Sequence, residues 1–165
     1  MTRSLTIVFL FIVASLQAQL QSPSEFLGYD IGSQFSRHAD VVNYFEHVAE
    51  NSPMVNFSLY GKTNERRPLT YAVVSSAQNL TSIENIRKDN LRNIGIENGT
   101  SNPKIAIVWL SYNVHGNEAS STEAAMVTLY KLITEKKEWL NNTVVIIDPC
   151  INPDGRDRYA NWYNQ

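Results

Sequence analysis

Asn113-Val114-His115-Gly116-Asn117-Glu118 decides how this chain is read, because it sets an imidazole and a carboxylate three residues apart directly after an apolar run. The run is Lys104 to Ser111, in which Ile105, Ala106, Ile107, Val108, Trp109 and Leu110 are nearly continuous, the pattern of a strand covered on both faces. Ser120-Ser121-Thr122-Glu123 follows and matches a capping box, so a helix is predicted to start there. His115 and Glu118 therefore fall in the bend between strand and helix, where parallel sheets place their ligand sites.

A second buried strand is predicted at Thr143-Val144-Val145-Ile146-Ile147-Asp148, ending at the turn sequence Asn152-Pro153-Asp154-Gly155. The crossover helix between the strands spans about Ser121 to Lys137, with Ala125, Met126, Leu129, Tyr130, Leu132 and Ile133 as its inner stripe. Crossovers of this kind join parallel strands, so the H-G-N-E bend and the N-P-D-G turn are expected at one edge of the sheet. Asn152 and Asp154 are read as turn formers that shape the cleft floor, and Glu123 as a cap.

Upstream, Ser36 to Asn51 reads as an amphipathic helix with Val41, Phe45 and Val48 inward, and both His38 and His47 are expected at the surface. Val55 to Leu59 alternates and Leu69 to Val74 is a further strand, which makes an antiparallel hairpin braced by Glu65 and Arg67. Ser82 to Asn93 is a helix with a solvated charged face. The fold class is α/β: a mixed, mostly parallel sheet with flanking helices.

An imidazole and a carboxylate so spaced are candidate metal ligands, His115 and Glu118. Zinc takes N and O donors in a near-tetrahedral array, and in catalytic sites one position stays open for water. Such an ion polarises a carbonyl and lowers the pKa of its water to about 7, which suits amide hydrolysis.

Three ordered motifs carry a family resemblance: Gly61-Lys62-Thr63-Asn64-Glu65-Arg66-Arg67-Pro68 in the hairpin, His115 with Glu118, and Asn152 to Gly155. Together they resemble the N-terminal half of the catalytic domain of a carboxypeptidase A-like zinc metallocarboxypeptidase, over about Ser22 to the end. The resemblance implies Zn2+ as cofactor, peptides or proteins as substrate, and cleavage of the C-terminal residue. The digestive members carry an Arg directly before the metal Glu; here that place is Asn117. The chain stops at Gln165, before the positions where the family carries its third ligand, a His, an Asn-Arg pair, a Tyr and the general-base Glu. The isolated chain is therefore expected to hold zinc weakly and to be inactive, with no catalytic residue assigned in it. Two alternatives stand beside this reading. One is a related zinc acylase of the aspartoacylase and succinylglutamate desuccinylase type, which shares H-G-N-E; the other is a non-catalytic remnant of the fold.

The chain has 165 residues, 43% of them hydrophobic and 18% charged, enough for one core. Arg3, twelve uncharged residues from Leu5 to Leu16, and Gln17-Ala18-Gln19 read as a signal peptide over residues 1–18, cleaved after Ala18. That leaves 19–165 as the domain, secreted or periplasmic, with no stable membrane span, since the apolar run is shorter than the roughly 20 residues a span requires. Losing Arg3 leaves 13 basic against 16 acidic residues, and no basic patch with interleaved aromatics points to nucleic acid. Cys150, the single cysteine, is expected to be a small buried side chain. Four N-x-[ST] sequons start at Asn56, Asn79, Asn98 and Asn141 and carry little weight.

Overall fold

The computed structural model describes residues 20–165, so the predicted leader lies outside the described residues. Within them, no helix is long and apolar enough to cross a membrane. Strands β1 (Val55–Lys62) and β2 (Pro68–Val74) form the expected antiparallel hairpin, with a register shift between Leu59 and Gly61. β3 (Ala106–Ser111) and β4 (Thr143–Asp148) pair in parallel, and β4 lies antiparallel against β2. The order is β1-β2-β4-β3. The sheet is mixed, as expected, and among the described residues its parallel part is the pairing β3–β4, beside two antiparallel pairings.

Two short helices, α1 (Pro23–Leu27) and α3 (Ala77–Thr81), were not expected, and each is too brief to show periodicity. α2 (His38–Asn51) and α5 (Ser120–Thr134) bury the predicted stripes except Tyr130, which is half-buried; α4 (Ile83–Asn93) has no fully buried residue. Val41, Tyr44, Phe45 and Val48 of α2 meet Met126, Leu129 and Ile133 of α5 in one cluster with Ala72, Val74, Val145 and Ile147 of the sheet. The 3-10 turn Lys137–Asn141 leads from α5 into β4.

Four expectations are corrected. β3 is not covered on both faces: β4 is its only partner among the described strands, and Trp109 is 66% exposed. An apolar run reports hydrophobicity but not which neighbours a strand finds. N-P-D-G does not simply turn the chain. Asn152 is the N-cap of α6 (Pro153–Tyr163), its Oδ1 accepting from Gly155 N at 3.0 Å with Pro153 in the first turn, since turn formers and helix caps use the same side-chain chemistry.

Glu123 does not cap α5, whose N-cap is Ala119 with no side-chain bond. It is buried and paired with Arg156, which is fully buried; Arg156 Nη2 lies 2.7 Å from Glu123 Oε1. Glu123 Oε1 also accepts from Ser36 N at 2.7 Å, and Arg156 donates to the carbonyls of Ser36 and Ala119. One ion pair thus ties α5, α6 and the entry to α2.

His38 is 2% exposed rather than on the surface. Its Nε2 bonds the Pro68 carbonyl at 2.8 Å, its backbone N–H donates to Asp157, and its Nδ1 is buried with no partner among the described residues. Burial holds its pKa below the ordinary histidine value, outweighing the Pro68 carbonyl and the nearby Asp157 and Asp148, which favour the cation. His47 is half-buried, stacked near Phe26, with Nε2 accepting from Gln21 N.

Removing one partner of a buried pair strands the other charge, so Glu123→Ala is expected to destabilise the protein by about 3 kcal/mol in denaturant titrations. His38 has a lower pKa folded than unfolded, so the unfolded state binds more protons and stability falls as pH drops below about 6.5. The stability advantage of the wild type over His38→Gln should therefore shrink between pH 7.5 and pH 5.5, and a constant difference would count against a buried neutral imidazole.

Candidate metal site

The parallel register that pairs Ser111 with Asp148 continues past the strand ends. Tyr112 N donates to Asp148 O, Ile151 N to Tyr112 O, and Asn152 N to Asn113 O, so the two connections leave the sheet bonded to each other. The H-G-N-E bend and the N-P-D-G segment are neighbours, as the crossover argument requires. At their contact, a Cβ on Gly116 would sit 2.1 Å from the carbonyl carbon of Gly155. Only a glycine at Gly116 lets the backbones approach so closely.

Within the bend, Glu118 N donates to His115 O at 3.0 Å, closing a turn that brings the two side chains to one side. His115 Nδ1 lies 3.2 Å from Glu118 Oε1, and the side chains are 72% and 57% exposed. The structure thus brings the two predicted ligands together on an open surface. Beside them, Gly116, Asn117, Gly155, Arg158, Tyr159 and Trp162 line a shallow depression.

The predicted hairpin motif reaches the same edge. Arg67 pairs with Glu65 at 2.5 Å as expected, but also with Asp154 at 2.8 Å and Asp157 at 2.7 Å. Thr63 Oγ1 donates to Asp154 Oδ1 at 2.7 Å, and Arg158 pairs with Glu65. Partial burial raises the Asp154 carboxyl, but Thr63 and Arg67 outweigh it and leave the pKa below the ordinary value. Asp154 is therefore a clasp between hairpin and α6, not merely a turn former.

Several buried polar groups were not foreseen. Asn113, at φ 54, is 2% exposed and bonds the carbonyls of His115 and Glu118. Asp148 accepts from Tyr60 Oη at 2.6 Å and Cys150 N; burial pushes its carboxyl above the ordinary range, and those two bonds oppose it. Cys150 is buried as expected, its Sγ donating to Asn113 Oδ1 at 3.1 Å. Only the Asn-before-bend pattern hinted at any of this, because asparagine tolerates positive φ.

His115 and Glu118 supply an imidazole nitrogen and a carboxylate oxygen that converge on one open point, which fits two positions of a zinc site. Among the described residues, no group of three or more His, Cys, Asp or Glu is placed to hold a metal ion.

Residues 41–165 match the sequence profile of the zinc carboxypeptidase family. The chain belongs to the zinc carboxypeptidase family. Its fold is similar to carboxypeptidase A from Helicoverpa armigera, at 22% identity and a TM-score of 0.58, over 76% of this chain and 28% of that one. It is also similar to bovine thrombin-activatable fibrinolysis inhibitor, solved with a tick carboxypeptidase inhibitor, at 19% identity and 0.54, over 75% and 33% of the two chains. A further structure of thrombin-activatable fibrinolysis inhibitor gives 19% and 0.53, over 84% and 32%. The chain thus spans about a third of the length of each of those structures. No curated protein matches it.

Gly116→Ala is expected to cost about 1–3 kcal/mol through the forced separation of the bend from Gly155, and to lower the thermal midpoint accordingly. A midpoint equal to wild type would mean that the two backbones do not meet.

Proposed function

We propose that the protein is an exported zinc-dependent carboxypeptidase that releases the C-terminal residue of peptides or proteins, and that residues 19–165 are the N-terminal part of its catalytic domain. The observation that carries this reading is the convergence of His115 Nδ1 and Glu118 Oε1 at the end of β3, in a chain whose family is zinc carboxypeptidase. His115, through Nδ1, and Glu118, through its carboxylate, would hold the ion. Zinc bound there supplies Lewis-acid polarisation of the scissile carbonyl.

The chain's own residues orient this pair. The Glu118 N–H to His115 carbonyl bond and the Gly116 contact fix the bend, and the Arg67–Asp154 clasp holds the hairpin against α6. Asn117 is exposed and uncharged beside Glu118, so that position gives a substrate carboxylate an amide donor and no cation.

In the full-length protein, His115→Ala and Glu118→Ala are each expected to lower zinc affinity more than about 100-fold, beyond the 10–100-fold typical of groups behind the ligands. Both should abolish release of the C-terminal residue from peptides. Zinc content unchanged in the double variant would refute the assignment, and turnover of acyl-amino acids but not of peptides would favour an acylase.

A further inference from the structure

We infer that Asn113 is a positioning residue for the metal pair, its buried amide setting the spacing of the His115 and Glu118 side chains by fixing their backbone at both ends of the bend. The inference rests on the zinc-ligand reading above. Both amide protons are used: Nδ2 donates to His115 O at 2.9 Å and to Glu118 O at 3.1 Å. Oδ1 accepts from Cys150 Sγ at 3.1 Å, so all three contacts agree on one orientation of the amide. The flipped amide would set its oxygen against two carbonyl oxygens, which no proton could bridge.

The backbone conformation points the same way. At φ 54 the residue sits in the left-handed region, where asparagine is one of the few side chains tolerated. Its own carbonyl accepts from Asn152 N, which anchors it to the start of α6. The side chain therefore connects a fixed point to both ligand-bearing residues.

The role is positional because the bonded carbonyls do not depend on Asn113 for satisfaction. His115 O also accepts from Glu118 N, and Glu118 O from Ser121 N. Removing the amide leaves each carbonyl one donor, so the bend loosens without stranding a buried acceptor. The exposed ligand side chains then sample a wider range of separations, and a metal pair is sensitive to such spread.

The test compares full-length wild type with Asn113→Gly, which keeps positive φ and deletes the amide, and Asn113→Asp, which keeps the shape and loses both donors. Zinc affinity is measured by chelator competition and ligand geometry by the visible spectrum of the Co2+-substituted protein, with His115→Ala as reference. Both Asn113 variants should bind zinc about 10- to 100-fold more weakly, with altered Co2+ bands. Wild-type affinity and spectrum in Asn113→Gly overturn the positioning role, whatever its thermal stability. If neither variant folds, Cys150→Ala decides, since it removes the contact that holds the amide oxygen in place while the two carbonyls still set which way the amide faces. A several-fold loss of zinc affinity with a changed Co2+ spectrum supports the inference, and wild-type values overturn it. Wild type that binds no zinc, or His115→Ala that binds it normally, would instead defeat the underlying zinc-ligand reading.

Discussion

The parallel pairing of β3 with β4 is the constraint on which the site depends. Parallel strands end at the same edge, and here their hydrogen bonding runs on through Tyr112, Ile151 and Asn152 into the two connections. The H-G-N-E bend consequently rests on the start of α6 at backbone distance, with Gly116 against Gly155. Any side chain at Gly116 would separate the bend that carries His115 and Glu118 from the helix that supports it. Two glycines in different motifs are thus parts of one contact.

Polar groups join the segments around that contact. Arg156 and Glu123 form a buried pair between α6 and α5, and the Arg156 guanidinium also donates to the carbonyls of Ser36 and Ala119. Such a pair is weak evidence for net stability, because desolvation offsets the attraction, but it penalises any arrangement that separates its members. Ala119 follows Glu118 directly, so the same guanidinium also holds the chain just past Glu118. Asn113 bonds the carbonyls of His115 and Glu118 themselves.

Much of this was legible in the residues. Thr143–Asp148, the hairpin and the convergence of two motifs at one sheet edge follow from apolar runs, alternation and the crossover rule. The misreadings share a cause, which is that local pattern cannot report a distant partner. Glu123 has the spacing of a cap, yet its partner lies 33 residues on in a helix that the N-P-D-G sequence disguised as a turn. His38 opens an amphipathic helix at a position open to either face, and the Pro68 carbonyl that receives it belongs to the hairpin. β3 looks interior because Trp109 and Val108 are apolar, but strand order is a property of the sheet.

The arginines near the site show how fold and chemistry divide the charge. Arg67 meets Glu65, Asp154 and Asp157, and Arg156 is sealed against Glu123, so each can take a substrate carboxylate only by giving up a partner already in place. A buried guanidinium that lost its carboxylate would carry an uncompensated charge, a larger penalty than one exposed ion pair returns. These two cations therefore serve to hold the hairpin, α5 and α6 in register. They join the segments beside His115 and Glu118, whose side chains remain open to solvent. A hydrogen-bonded backbone beneath and accessible donors above is the arrangement that a metal site at this bend would use.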